Sequence, residues 1–302
     1  MSYPIRMVPA QGAEADYEQL GTKSKFWLTG AEWGTTGSLF KYSRLNTGEH
    51  WSEKCAAEIC AVMGIEHVAY DLALCDDKWG VVSPNFVPPG MNLMMGNQLL
   101  QSYDQNYSDS CTGHFSVSER YTIKEVLECL KYYEEDKTVK WIGASGQDLF
   151  CQYVLLDVIV GNQDRHHENW AILEGTADRV RKMSPTYDHA SSLGRELLDE
   201  KREKRLSSRD RNVTVEAFAT KAKTHFRDEI TGKKLSTLDA LLRVLKYRPD
   251  LAGMCRETVE LLDDEAIDQV FNNVPEQCIT ETARKFAVGM VKANVRRVKE
   301  NV

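Results

Sequence analysis

GNQDRHHENWAI, residues 161–172, is the most informative segment of the chain. It places a dense group of polar side chains directly after an apolar helix predicted over residues 147–160, and a short strand, WAIL, follows. Asp164 and Asn169 stand five residues apart. This is the spacing of a loop that turns one carboxylate toward a substrate hydroxyl and one amide toward a metal ion. The spacing therefore predicts a catalytic loop for phosphoryl transfer.

Three further residues fall where a phosphotransferase core needs them. Asp188 lies in SPTYDHASSLG (184–194), after a strand and a short loop, where a second metal-binding aspartate belongs. Upstream, Lys41 follows a glycine-bearing turn on a strand, and Glu53 stands near the start of the next helix. The order glycine loop, lysine, glutamate, Asp-x4-Asn, aspartate is that of a kinase core.

Each of these residues also has a purely structural interpretation. Lys41, taken alone, is a solvated strand lysine. Glu53 is an acid favoured by the dipole at a helix start, and Glu49 and Glu58 are rival partners for the lysine. Asp188 is a turn residue. The order in which they occur favours function.

The two histidines of the loop allow more than one interpretation. His166 and His167 suggest a metal site, but adjacent histidines point in different directions and no ligand set accompanies them. We therefore expect His166 to brace the loop or to contact the cofactor. The loop could also be a simple polar connection, but so dense a polar group after a buried apolar helix favours catalysis.

The pattern of the N-terminal part predicts a β-rich lobe. Residues 1 to about 22 are polar and are expected to be irregular. Strands are predicted at Phe26–Leu28 and Ser38–Arg44, followed by a helix over 51–63 that Gly64 ends. A strand pair over 67–74 and 78–86 is predicted to turn at Asp76–Asp77.

The remainder of the chain is predicted to be mostly helical. Pro84, Pro88, Pro89 and Gly90 break regular structure and indicate a hinge or linker. Beyond them, a capping box at 122–125 and helical periods over 147–160, 236–246 and 281–295 follow. We therefore predict an α+β, two-lobed protein-kinase-like fold. Residues 1–87 form its nucleotide-binding lobe, and residues 88–302 form a helical lobe with the catalytic and metal-binding loops.

Composition excludes several other classes of function. The net charge of −7 argues against a general nucleic-acid binder, which needs an excess of basic residues. Eight scattered cysteines form no Cys-x-x-Cys pair, so neither a zinc site nor dithiol chemistry is supported. The sequence contains no apolar run of about 20 residues, so no membrane span is predicted. The N-terminus does not resemble a signal peptide. We expect a cytoplasmic protein, or one in the cytosol of a host if it is exported.

Three segments resemble HipA-type serine/threonine kinases. NQDRHHEN (162–169) is similar to the family's Asn-x-Asp-x-His-x-x-Asn loop, and SPTYDHASSLG is similar to its Pro-x-Tyr-Asp metal segment. SEKCAAEICAVMGI (52–65) resembles its helix, with Glu53 at the acidic position. The motifs cover residues from about 23 to 195. Gly30, Gly34 and Gly37 depart from a Gly-x-Gly-x-x-Gly loop.

The resemblance implies a role for each residue of the predicted site. Asp164 would be the catalytic base, Asn169 and Asp188 the Mg²⁺ ligands, and Lys41 a phosphate contact held in place by Glu53. The residues implied to surround the nucleotide are Gly34, Thr35, Thr36 and Gly37 at the phosphates, Asn85, Phe86 and Val87 at the adenine, and His166.

The resemblance also implies cofactors and partners. ATP and Mg²⁺ would be the cofactors, and the partners would be a protein substrate with a Ser or Thr acceptor and an antitoxin-like regulator. No membrane and no direct nucleic-acid partner is expected. The resemblance further implies self-phosphorylation at Thr35, Thr36 or Ser38, unless these are only turn residues. Ser207 and Ser208, in a basic segment, are the alternative phosphosites.

Two other functions remain open. The Asp-Arg-His-x-x-Asn pattern from Asp164 to Asn169 also resembles the catalytic loop of phosphoinositide kinases. The chain has no evident membrane-binding element or long basic face to support that function. The second is a nucleotide-binding pseudokinase that acts as a binding module. A module without activity has no chemical need to retain Lys41 and Asp188 together with that loop.

Overall fold

The protein is described here by a computed structural model that covers residues 2–9, 24–107 and 120–302. Most of the segment predicted to be irregular (1–22) and one of the eight cysteines, Cys111, lie outside the described residues.

The elements follow one another in this order: β1 (Ile5–Met7), β2 (Lys25–Leu28), β3 (Ser38–Tyr42), α1 (Glu49–Met63), β4 (Asp71–Cys75), β5 (Lys78–Pro84), β6 (Met91–Met95), α2 (Gly96–Tyr103), α3 (Ile123–Glu135), β7 (Lys140–Trp141), α4 (Gly146–Val160), β8 (Ala171–Gly175), β9 (Val180–Met183), α5 (Asp199–Ser207), α6 (Val215–Ala219), β10 (Lys223–Arg227), β11 (Lys234–Ser236), α7 (Thr237–Tyr247), α8 (Ala252–Glu260), α9 (Asp264–Asn272) and α10 (Glu281–Asn301).

Contacts divide the chain into two compact units. Unit one consists of Met1–Phe86, Asp188–Ala219 and Leu261–Ala293, and unit two consists of Val87–Tyr187, Thr220–Glu260 and Asn294–Val302. The break after residue 86 lies beside the predicted boundary after residue 87. Unit one also contains two later segments that the sequence pattern assigns to the C-terminal lobe. The division into lobes 1–87 and 88–302 stays a prediction.

The described part of unit one contains a five-stranded sheet of order β1-β4-β5-β3-β2. β1 is parallel to β4, with Ile5 opposite Leu72, so the expectation of irregular structure is wrong for these three residues. A three-residue strand is too short to show alternation, and its pairing partner is distant in sequence. The turn between β4 and β5 lies at Asp76 and Asp77 as predicted, and both have positive φ, 49° and 58°.

The alternation of β3 determines which face of the sheet Lys41 occupies. Phe40 is completely buried in a cluster with Phe26 and Val82, and its neighbour Lys41 lies on the opposite face. The predicted end of this strand at residue 44 is two residues too late. α1 follows and ends at Gly64, whose φ of 68° is the left-handed conformation predicted for its cap.

Unit two combines packed helices with a second sheet of order β6-β8-β9-β7. β6 pairs antiparallel with β8 just beyond the predicted hinge, and the sequence pattern does not predict this strand. α4 is buried along most of its length and ends at Gly161, which has a φ of 65°. That left-handed cap turns the chain into the loop of residues 162–169, which carries Asp164 and Asn169. In the described residues no helix is long and apolar enough to cross a membrane.

Candidate functional site

In unit one, Lys41 and Asp188 form an ion pair. Lys41 Nζ lies 3.7 Å from Asp188 Oδ2, and the two side chains are 13% and 35% exposed. Burial disfavours the charged ammonium, but the negative charges of Asp188, Glu53 and Glu49 outweigh it, so the pKa of Lys41 is raised. Lys41 is therefore a largely buried cation beside a partly accessible carboxylate.

The backbone of Asp188 adopts an uncommon conformation. Its φ is 59°, the left-handed region that aspartate tolerates better than most residues. Its N–H donates to the Tyr70 hydroxyl at 3.2 Å. Strained backbone held by neighbouring contacts is common at functional sites. Here it fixes the point from which the Asp188 carboxylate projects.

Glu53 holds the residues that follow Asp188. This buried carboxylate accepts the N–H groups of His189 at 2.6 Å and Ala190 at 3.1 Å, and His189 Nδ1 lies 3.3 Å from it. Its negative charge also contributes to the raised pKa of Lys41, after Asp188 in importance. Glu53 thus acts on Lys41 in two ways: its charge raises the pKa of Lys41, and its hydrogen bonds hold the segment that carries Asp188, the ion-pair partner of Lys41.

The two rival glutamates bind other cations. Glu49 accepts a hydrogen bond from Arg195 and pairs with Arg44. Glu58 pairs with Lys54 at 2.6 Å. Glu53 differs from both in that its carboxylate accepts the His189 and Ala190 N–H groups beside Asp188.

In unit two, Asp164 and Asn169 are joined directly. Asn169 Nδ2 donates to the Asp164 carbonyl oxygen at 2.7 Å, which identifies the nitrogen end of the amide. The other end is an oxygen, the kind of ligand that Mg²⁺ prefers. The Asp164 N–H donates to Asn162 Oδ1 at 3.1 Å. The backbone of Asp164 is therefore held from both sides, while its side chain is 45% exposed.

Two charged residues that sequence reasoning missed anchor this loop. Arg165 is completely buried and donates to both carboxylate oxygens of Asp157, at 2.9 and 2.8 Å. Its remaining terminal nitrogen donates to the carbonyl oxygen of Asn169 at 2.6 Å. The available signal was a single acid at 157 inside the apolar helix sequence VLLDVIV.

The histidines of the loop bind partners within the protein. His166 Nδ1 accepts the N–H of Glu168 at 3.1 Å, as expected of a residue that braces the loop. His167 Nδ1 lies 2.8 Å from the Tyr107 hydroxyl. Within the described ranges, no group of three or more His, Cys, Asp or Glu side chains could hold a metal ion. A Mg²⁺ site built from one carboxylate, one amide and substrate phosphates is a different donor set.

A third histidine touches Asp164. His225, on β10, places Nε2 3.2 Å from Asp164 Oδ1. The two residues are 61 positions apart, and the sequence around His225 carries no motif. Sequence reasoning therefore had no signal for this contact.

Asn85, one of the residues predicted to contact the adenine, is hydrogen-bonded to the predicted glycine loop (residues 34–37) within unit one. The Asn85 N–H donates to the Gly37 carbonyl at 3.0 Å, and its side-chain amide to that of Thr36 at 3.5 Å. Gly37 has a φ of 77°, and a Cβ there would lie 2.9 Å from the Leu28 carbonyl oxygen, so a larger residue would be strained. The other predicted contacts of this group are placed as follows: Gly34, Thr35 and Thr36 are exposed, Phe86 ends unit one and Val87 begins unit two.

Comparison with known proteins gives similarity to solved structures. No protein-family model and no curated protein matches the chain. The crystal structure of the Helicobacter pylori proinflammatory kinase CtkA aligns with a TM-score of 0.67 and 17% identity, over 95% of this chain and 97% of that one. HipA of the Shewanella oneidensis toxin–antitoxin system, solved with HipB and operator DNA, aligns with a TM-score of 0.58 and 14% identity, over 96% of this chain and 66% of that one. The predicted α+β, kinase-like fold and the resemblance to HipA-type kinases are confirmed at the level of fold.

Proposed function

We propose that the chain is an ATP- and Mg²⁺-dependent kinase that phosphorylates Ser or Thr of a protein substrate. The observation that carries this proposal is the pairing of Lys41 with Asp188 at 3.7 Å. Phosphoryl transfer requires a cation for the nucleotide phosphates close to a carboxylate that binds their metal ion. The raised pKa of Lys41 keeps that cation charged at neutral pH.

Asp164 serves as the base in this proposal. It accepts the proton of the substrate hydroxyl as that oxygen attacks the γ-phosphorus and the bond to the ADP oxygen breaks. The Asn169 amide oxygen and the Asp188 carboxylate would hold Mg²⁺, which when bound neutralises charge on the phosphates. Glu53 keeps the backbone beside Asp188 in place.

The nucleotide contacts complete the proposal. Gly34, Thr35, Thr36 and Gly37 border the phosphates, and Asn85, Phe86, Val87 and His166 contribute to the nucleotide site. The contact of Asn85 with Thr36 and Gly37 supports a joint role for this loop and the end of β5. Such positioning interactions account for much of the catalysis in phosphoryl transfer.

The test is transfer of label from γ-labelled ATP with and without Mg²⁺. Protein substrates and phosphoinositide vesicles are offered in parallel reactions, and nucleotide binding is measured by calorimetry. We expect Mg²⁺-dependent label on Ser or Thr of protein. Label only on phosphoinositide would indicate a lipid kinase, and ATP binding without any transfer would indicate a binding module.

Self-phosphorylation is proposed at Thr35 or Thr36. Both are exposed, whereas Ser38 is buried and its hydroxyl donates to the Trp33 carbonyl at 2.8 Å. Phosphate on this loop adds a charge of about −1.5 to −2 and would repel ATP. Mass spectrometry after incubation with ATP checks this. Label on Ser207 or Ser208 instead would place the switch in the basic segment.

A protein regulator is proposed by analogy with HipA, which was solved together with HipB. We also propose a cytoplasmic location, in the producing cell or in a host cell after export. Affinity capture from the native organism tests for the protein regulator. Fractionation of producing cells and host cells tests the location.

A further inference from the structure

We propose that His225 is a positioning residue, which orients the Asp164 carboxylate for proton acceptance. This inference rests on the kinase function proposed above. Its basis is the 3.2 Å contact between His225 Nε2 and Asp164 Oδ1. Both residues belong to unit two, and nothing in the sequence near His225 assigns it a role.

Buried aromatic rings fix the position of β10, the strand that carries His225. Its neighbour Phe226 is completely buried and stacks on Tyr121, with ring centroids 4.6 Å apart and planes 23° apart. The Tyr121 hydroxyl accepts the indole N–H of Trp170 at 3.0 Å. Trp170 directly follows the catalytic loop. β10 and the loop are thus held by the same cluster of buried aromatic rings, whose packing contributes to stability.

The strand alternation then turns His225 away from that cluster. Thr224 and Phe226 are buried, whereas His225 is only partly buried, as expected when successive strand residues face opposite sides. His225 is 18% exposed, and the Asp164 side chain is 45% exposed. A half-exposed aspartate can occupy more than one χ1 rotamer, and a hydrogen bond to its carboxylate favours one of them. His225 makes such a contact with Asp164 Oδ1.

The division of tasks around Asp164 is complementary. Asn162 and Asn169 hold its backbone at 3.1 and 2.7 Å, and neither contact fixes its carboxylate. An imidazole that donates from Nε2 to the carboxylate carries a proton on Nε2. In the reaction, the hydroxyl proton passes to Asp164, and His225 keeps its own proton. His225 therefore acts through Asp164 without touching the substrate.

The kinetic test compares donor-retaining and donor-free variants. His225→Gln keeps an N–H near the position of Nε2, and His225→Leu removes it. We expect the turnover number of His225→Leu to fall about tenfold to a hundredfold, the value of one hydrogen bond to a charged group, with little change in KM for ATP. His225→Gln should recover most of the loss. His67→Leu, a partly buried histidine in unit one, is the matched control and should keep wild-type turnover.

A loss of turnover of equal size in His225→Gln and His225→Leu, or wild-type turnover in His225→Leu, would overturn the proposal. Melting temperatures of both variants separate unfolding from loss of positioning. Should His225→Leu fail to fold, the comparison of wild type with His225→Gln carries the kinetic test, and a loss in His225→Gln beyond about threefold overturns the proposal.

A second readout does not depend on activity. ¹⁵N NMR of histidine-labelled protein, with His225 assigned by its absence in His225→Gln, reports the tautomer. We expect a proton on Nε2, and a changed Nε2 signal in Asp164→Ala. An Nε2 without a proton, or a signal insensitive to Asp164→Ala, would refute the contact. An inactive wild type with the expected NMR result would instead contradict the kinase function and leave the His225–Asp164 contact established.

Discussion

Arg165 and Asp157 form a bidentate ion pair in the interior of unit two. The two hydrogen bonds measure 2.9 and 2.8 Å, and the two side chains are 0% and 1% exposed. Arg165 also donates to the carbonyl oxygen of Asn169 at 2.6 Å. The side chain after the proposed base thus points into the core and ties α4 to the far end of the loop. This leaves Asp164 at the surface of a loop that cannot easily rearrange.

Asp157→Asn should destabilise the protein strongly, because it leaves the buried guanidinium of Arg165 without a counter-charge. We expect a loss of about 3–5 kcal/mol in the free energy of unfolding, measured by urea titration. Glu128→Gln is the matched control in the same unit, since Glu128 pairs with Lys124 at 3.7 Å and both are about half exposed. It should cost no more than about 0.5 kcal/mol. Equal effects in the two variants would show that the buried pair has no special role.

Glu53→Gln should weaken catalysis and stability together. A glutamine has only one oxygen to accept the N–H groups of His189 and Ala190, and its own N–H₂ would face a donor. We expect a stability loss of about 1–3 kcal/mol and a lower turnover number because Asp188 is less well held. Glu58→Gln, which removes the charge that pairs with Lys54, should leave turnover unchanged. The reverse pattern would make Glu58 the functional glutamate.

His50 should make the protein less stable as the pH falls below neutral. Burial lowers the pKa of His50 from 6.5 to about 4, although its ring nitrogen lies 3.0 Å from the Cys278 carbonyl. Between these two values the unfolded chain binds a proton and the folded protein does not, so stability decreases as the pH falls through this range. The expected contribution between pH 7 and pH 5 is about 2 kcal/mol.

Urea unfolding of wild type and His50→Gln at both pH values measures this contribution. The variant should lose about 2 kcal/mol less on acidification than wild type. Ser43→Ala removes the partner 3.3 Å from the other ring nitrogen but keeps the imidazole, so it should retain the wild-type pH dependence. Identical pH dependence in His50→Gln and wild type would contradict the assignment.

Local signals in the sequence predicted much of the fold. The end of α1 at Gly64 and the turn at Asp76–Asp77 each depend on a few consecutive residues. Both predictions are confirmed. β1 and β6 were missed because each depends on a partner strand far away in sequence.

In the candidate site, too, local features could be predicted from the sequence and contacts between distant residues could not. Asp164 and Asn169, which the spacing assigns to one loop, are joined there by a hydrogen bond, and their catalytic roles stay a prediction. The contacts of Asp157 with Arg165 and of His225 with Asp164 arise from tertiary packing, so no sequence motif predicts them. The left-handed backbone of Asp188 is likewise stabilised by Tyr70, 118 residues earlier.

The most direct measurement of the central claim is the initial rate of Mg²⁺-dependent phosphoryl transfer from ATP to protein. Lys41→Met, Asp164→Asn and Asp188→Asn should each lower this rate by about a hundredfold or more while remaining folded, and Asp164→Asn should still bind ATP. Lys25→Met, at the position opposite Lys41 on β2, should stay within about twofold of wild type. Near-normal transfer by folded Asp164→Asn or Asp188→Asn, or loss of transfer only in Lys25→Met, would contradict the account.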